Sequence, residues 1–198
     1  IKKQLYGEAY LVRFADDFLI MFQYERDAQR VYEAVIKRME LFGLELSKEK
    51  TRILPFGRHS VSRETFDFLG FTHFNSKTRK GYYTVGHKIS RKKKKKFKSN
   101  LKKWVKENRN TQFDEFMKTL NKKLTGSVNY YSLSGMIKEV RNLWIHSLYV
   151  TFKWLNRRSQ RKSFKLEKFY EIWNDRIIRP YIHVDIWSGD KVIYNKNV

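Results

Sequence analysis

Tyr10-Leu11-Val12-Arg13-Phe14-Ala15-Asp16-Asp17-Phe18-Leu19-Ile20-Met21-Phe22 sets two adjacent carboxylates between two apolar runs. Both runs are rich in aromatic and branched residues, so the stretch reads as two buried strands joined by a tight acidic turn. Asp suits such a turn on conformational grounds alone, because its side chain can bond nearby backbone. Carboxylates held between two core strands also suit a hard cation such as Mg²⁺, which prefers oxygen ligands. Two such ions can activate an attacking hydroxyl and stabilise a leaving oxygen in phosphoryl transfer. Asp16 and Asp17 are therefore the candidate catalytic and metal-ligating residues.

The composition points to the substrate. Lys and Arg outnumber Asp and Glu by 43 to 20 in 198 residues, a formal charge of +23. Such an excess repels itself in a compact state unless a polyanion neutralises it. Nucleic acid is the leading partner, and 16% aromatics add stacking capacity for bases. The basic residues are spread over several elements rather than one amphipathic anchor, which argues against a membrane surface. With no Cys there is neither a disulfide framework nor a Cys-based zinc site. No apolar run approaches the roughly 18 residues that span a bilayer, and no signal peptide is visible. The expected location is cytoplasmic in a bacterial setting, or organellar in a eukaryote, and not secreted. Ile1 opens without an initiator Met, already close to a core strand, so a piece of a longer protein is expected.

After the acidic turn, Ala28, Val31, Tyr32, Val35, Met39 and Phe42 recur at helical spacing, with Gly43 at the stop. This predicts an amphipathic helix over 26–42, packed on the sheet of the hairpin. Leu44-Glu45-Leu46 and Arg52-Ile53-Leu54 read as short extended pieces around the basic turn 47–51, which offers Lys50 as a phosphate contact. Phe66 to Thr72 and Tyr82 to Val85 read as the strands of a hairpin with Lys77, Arg79 and Lys80 at its tip. Gly70 within the first strand signals a bulge or a close backbone approach.

From about residue 88 the pattern turns helical and basic. Arg91, Lys92, Lys93, Lys94, Lys95 and Lys96 open a helix with a stripe at Phe97, Leu101, Trp104 and Val105. Its cations continue at Lys98, Lys102, Lys103 and Lys106, a ridge that suits phosphates. Thr111 to Asp114 resembles a capping box for a second helix, with Gly126 near its end. Ser134-Gly135 precedes a third helix, which closes in a basic cluster containing Arg157, Arg158, Arg161 and Lys162. A short last helix surrounds Leu166, Phe169, Tyr170 and Trp173, and the Trp and Phe stripes are read as core.

Several of these stretches resemble one family in collinear order. Phe14-Ala15-Asp16-Asp17 is similar to the Tyr-x-Asp-Asp box of reverse transcriptases, with Phe14 keeping the ring and dropping the hydroxyl. The Lys50-Thr51 turn and Phe68-Leu69-Gly70-Phe71 are similar to the turn and the primer-gripping hairpin of group II intron reverse transcriptases. Leu120-Asn121, Gly126 and Asn129-Tyr130-Tyr131 resemble their maturase-specific thumb motif, with Ser127 where that pattern has Trp. Residues 155–164 and 179–182 resemble the end of the thumb and the tail.

The resemblance implies an α+β chain: residues 1–87 the later part of a polymerase palm, 88–175 a helical thumb or maturase domain, and 176–198 a tail. It implies RNA-directed DNA synthesis with two Mg²⁺ ions at Asp16 and Asp17, packed by Phe14 and Ala15, and one further Asp from an earlier palm strand. Lys50, Leu69, Gly70 and Phe71 would hold primer and template. The 91–96 cations, Asn129, Tyr130, Tyr131, Arg157, Arg158, Arg161 and Lys162 would hold intron RNA. Partners would be group II intron RNA, an RNA template, a DNA primer and dNTP. The chain by itself would be inactive, for want of the earlier Asp and the fingers. Two alternatives stay open: a non-catalytic RNA-binding maturase module, and a reverse transcriptase of another lineage, such as a retron or a diversity-generating element.

Overall fold

The computed structural model describes residues 4–47, 49–158 and 163–182. The chain divides into two compact units, residues 1–86 and 87–198. In the first, β1 (Ala9–Phe14) and β2 (Asp17–Phe22) form an antiparallel ribbon in which Phe14 pairs with Asp17 and Ala9 with Phe22. Helix α1 (Glu25–Leu41) follows, buries Ala28 and Val31, and packs against β2. Gly43, at φ 66, turns the chain away from the helix end, a conformation glycine adopts without a Cβ clash. β3 (Thr65–Phe68), β4 (Phe71–Lys77) and β5 (Tyr83–Ile89) make a second sheet in that order.

The segment before β1 is fixed by a residue that the apolar pattern passes over. Asp27, in the first turn of α1 and only 1% exposed, accepts 3.0 Å hydrogen bonds from the backbone N–H groups of Tyr6 and Gly7 through one carboxylate oxygen. Arg26 lies 3.5 Å over the Tyr6 ring. A Cβ on Gly7 would stand 2.7 Å from the Tyr24 ring, so only glycine lets this segment close down on the helix.

The second unit is a bundle of α2 (Arg91–Asn108), α3 (Phe113–Tyr131), α4 (Ile137–Leu155) and α5 (Leu166–Arg176). Its core joins Leu101 and Val105 of α2, Phe116, Met117, Leu120 and Leu124 of α3, Trp144, Leu148 and Leu155 of α4, and Phe169 and Trp173 of α5. Burying each such side chain is worth about 1.5–3 kcal/mol, so this unit holds most of the hydrophobic stabilisation. Ser90 caps α2 by accepting from the Lys93 N–H. The first turn of α2 carries no acid and a run of cations, the opposite of what the positive end of a helix dipole favours.

Four expectations need correction. The strands β1 and β2 are not buried: Leu11 is 62% and Phe14 63% exposed. Among the described residues they pair only with each other, and α1 covers only part of the ribbon. The segment 66–72 is not one strand. It is β3, a two-residue turn at Leu69-Gly70 and the start of β4, so Gly70 is a turn residue rather than an in-strand bulge. The capping box at 111–114 does not form, because α3 starts one residue later, with Gln112 as an N-cap that makes no side-chain bond. The Asp114 carboxylate instead pairs with Arg176. Finally, α3 does not stop near Gly126 but continues to Tyr131.

Candidate nucleic-acid and catalytic site

The acidic turn is the tightest link the ribbon allows. Phe14 and Asp17 pair, leaving Ala15 and Asp16 as its two turn residues. Ala15 takes φ 51, a left-handed conformation that costs a non-glycine residue about 1–2 kcal/mol. The Arg13 Nε–H donates to the Ala15 carbonyl at 3.0 Å and steadies that conformation. Asp16 and Asp17 are both exposed, and neither carboxylate has a hydrogen bond or an ion pair among the described residues. They are free to take a cation. Among the described residues no group of three His, Cys, Asp or Glu gathers as a metal cage. Mg²⁺ binds through one or two carboxylates plus substrate phosphates and water, so two carboxylates are fewer ligands than a closed site needs.

The other candidates of this unit lie on turns. Lys50 is exposed in a turn closed by the Lys50 and Thr51 N–H groups on the Ser47 carbonyl, at 3.0 and 2.9 Å. Leu69 and Gly70, at φ 50 and 84, make a turn with both central residues left-handed, the geometry that matches strand twist in two-residue hairpins. Phe71 pairs with Phe68 across that turn. Around it, Thr72 Oγ1 donates to Asp67, and Phe66 stacks on His73 at 5.0 Å.

In the helical unit, Arg91, Lys92, Lys93, Lys95 and Lys96 are exposed, whereas Lys94 is half-buried and pairs with Glu139 at 2.5 Å. Asn129 and Tyr130 are exposed at the end of α3, and Tyr131 is half-buried with its ring 4.9 Å from Tyr130. Burial, and then the neighbouring Tyr130, push the Tyr131 hydroxyl pKa up. Arg157 is exposed just past α4, and burial lowers the Arg158 pKa. Arg161, Lys162 and residues 183–198 of the expected tail lie outside the described residues.

Residues 1–73 match the family of reverse transcriptases, the RNA-dependent DNA polymerases. Residues 94–172 match the maturase-specific domain of group II introns. The chain belongs to the group II intron reverse transcriptase/maturase family. Its α+β architecture, with small antiparallel sheets followed by a helical domain, is that of a reverse-transcriptase palm followed by a maturase domain. No curated protein matches the chain, and among the described residues no helix is long and apolar enough to cross a membrane.

Within the maturase domain, two Asn residues of the thumb motif do structural work that spacing alone does not reveal. Asn121 Oδ1 accepts from the Ile178 N–H at 2.8 Å, and Asn129 Oδ1 accepts from the Tyr181 hydroxyl at 2.8 Å. Trp144 Nε1 donates to the Ile178 carbonyl at 2.9 Å. Together they strap residues 177–182 onto α3 and α4. Asn156, just past α4, bonds both the N–H and the carbonyl of Phe164, at 2.8 and 3.1 Å. Asn75 holds the loop before β3 through Gly57 and Ser62, and its Oδ1 also accepts from the Tyr83 hydroxyl of β5. Ser127 lines a small crevice with Phe97, Leu124, Tyr131 and Trp144.

Proposed function

We propose that the chain acts in RNA-directed DNA synthesis and in splicing of a group II intron, with nucleotidyl transfer at Asp16 and Asp17. The carrying observation is that a polymerase match and a maturase-specific match lie in order on one chain, with an unpaired Asp-Asp turn inside the first. Asp16, at the turn, is the direct metal ligand, and Asp17, at the start of β2, its weaker neighbour. Two Mg²⁺ ions, when bound, would activate the primer hydroxyl and stabilise the leaving oxygen. Phe14 and Ala15 set the height of the turn, and the hydrogen bond from Arg13 fixes its backbone. The further carboxylate that such a site needs comes from outside the described residues.

Lys50 takes a backbone phosphate, and the Leu69-Gly70-Phe71 turn bears on the primer strand. The Arg91–Lys96 run, Asn129, Tyr130, Tyr131, Arg157, Arg158, Arg161 and Lys162 face intron RNA. In this reading residues 1–87 are palm, 88–175 thumb and 176–198 tail, and RNA template, DNA primer and dNTP complete the partners. The location is cytoplasmic, or organellar in a eukaryote.

Primer extension on an RNA template tests the reading. The 198-residue chain alone should show no Mg²⁺-dependent synthesis. In a polymerase carrying this chain together with the earlier palm carboxylate, Asp16→Asn abolishes synthesis and leaves splicing intact. Synthesis that survives Asp16→Asn would remove the acidic turn from the mechanism.

A further inference from the structure

Three cations converge on one indole in the helical unit. Lys106 Nζ, in the last turn of α2, lies 5.8 Å from the ring centroid of Trp154 near the end of α4. The guanidinium carbons of Arg109 and Arg157, just beyond the ends of α2 and α4, lie 5.6 and 5.4 Å from the same ring. No two of them can be farther apart than the sum of their ring distances, roughly 11 Å. At low salt, where the screening length reaches about 30 Å, all three therefore act as one charge cluster, and salt weakens that coupling.

Nothing in the described residues neutralises the cluster. None of the three makes an ion pair with an acid. From Val140 to Leu166 the sequence contains no Asp or Glu, and Glu107, between two of the cations, is exposed and pairs with neither. The ends of α2 and α4 favour cations, but each contributes only about half a negative charge, so roughly two of the three positive charges remain. The Trp face offsets part of their repulsion and holds the heads together. Next to them, Nε and Nη2 of Arg158 are buried without a hydrogen-bond acceptor.

We propose that Trp154 gathers Lys106, Arg109 and Arg157 into a preorganised receptor for the phosphodiester backbone of RNA. The inference rests on the reading of the chain as an RNA-binding maturase and gives that reading a specific seat. The cations already occupy the ring, so the indole serves as their platform and not as a stacking surface for a base. The site reads charge and shape, not sequence.

The test is fluorescence anisotropy of the full chain with a fluorescein-labelled RNA hairpin, across salt from about 50 to 200 mM. Lys106→Gln, Arg109→Gln and Arg157→Gln together should lower the slope of log affinity against log salt by roughly 2 to 3. Arg157→Gln alone should lower it by about 1. A charge-matched control, Lys37→Gln, Arg58→Gln and Arg63→Gln, should keep nearly the parent slope. Trp154→Leu keeps every charge and removes the platform, so affinity should fall by about twofold to fivefold with the slope retained. Equal slopes for the triple variant and the control would overturn the receptor and leave the maturase reading standing. Parent affinity in Trp154→Leu would overturn the role of the ring. A parent chain that fails to bind the hairpin would overturn both readings together.

Discussion

Asn121→Ala should unfold the helical unit early. The Asn121 side chain is half-buried and gives the Ile178 N–H its acceptor at 2.8 Å, while the adjoining Ile177 side chain is only 3% exposed. Removing the acceptor loses a hydrogen bond worth about 1 kcal/mol and leaves an N–H short of a partner at about 1–3 kcal/mol, part of it recovered by water. A net loss of about 2 kcal/mol follows. All five Trp residues lie at or beyond position 104, so Trp fluorescence reports this unit alone. With a urea slope of about 1–3 kcal/mol per molar, the midpoint should fall by about 1 M. Asn121→Asp keeps an oxygen acceptor at the same reach and should recover at least half of the loss. A midpoint for Asn121→Ala within about 0.2 M of the parent would refute the strap as a stabilising element.

Gly126→Ala should stabilise the same unit by about 1 kcal/mol, because a Cβ there meets nothing within 4 Å and alanine is the better mid-helix residue. The gain would appear as a higher urea midpoint. His146 is held below its ordinary pKa by burial and then by Lys98. Its neutral form is therefore the folded one, and its stabilising contribution is complete above the unfolded value of about 6.5. That contribution should drain away as pH falls from about 6.5 through the lower folded value, and His146→Gln should flatten this part of the thermal-midpoint profile.

The helices were legible because their stripes repeat over many turns: Phe116, Met117, Leu120 and Leu124 declare the buried face of α3 before any coordinates. The acidic turn was equally plain, since Asp16-Asp17 interrupts two apolar runs. What those runs did not show was exposure. An apolar strand states that it favours burial, not what covers it, and Leu11 and Phe14 stand largely uncovered among the described residues. Short-range geometry also escaped. Leu69 is an unusual residue for a left-handed turn position, so Phe66 to Thr72 read as one strand instead of a hairpin. Asp27, Asn75, Asn121 and Asn156 were invisible as anchors because each bonds backbone far along the chain or across a loop, and no periodicity encodes that. The Trp154 cluster needed the ends of two helices to meet.

The acidic ribbon carries a consequence for how this chain is shaped by selection. Its geometry is written in backbone: the Phe14–Asp17 pairing, the left-handed Ala15 and the hydrogen bond from Arg13 to a carbonyl. Neither carboxylate contributes a bond to it. Asp is disfavoured in strands, and Asp17 begins one. Folding alone would therefore let both acids drift to almost any small polar residue without harm to the ribbon. A turn preference covers Asp16, but not the second acid beside it at the start of β2, and the nucleotidyl transfer proposed above gives that pairing a purpose.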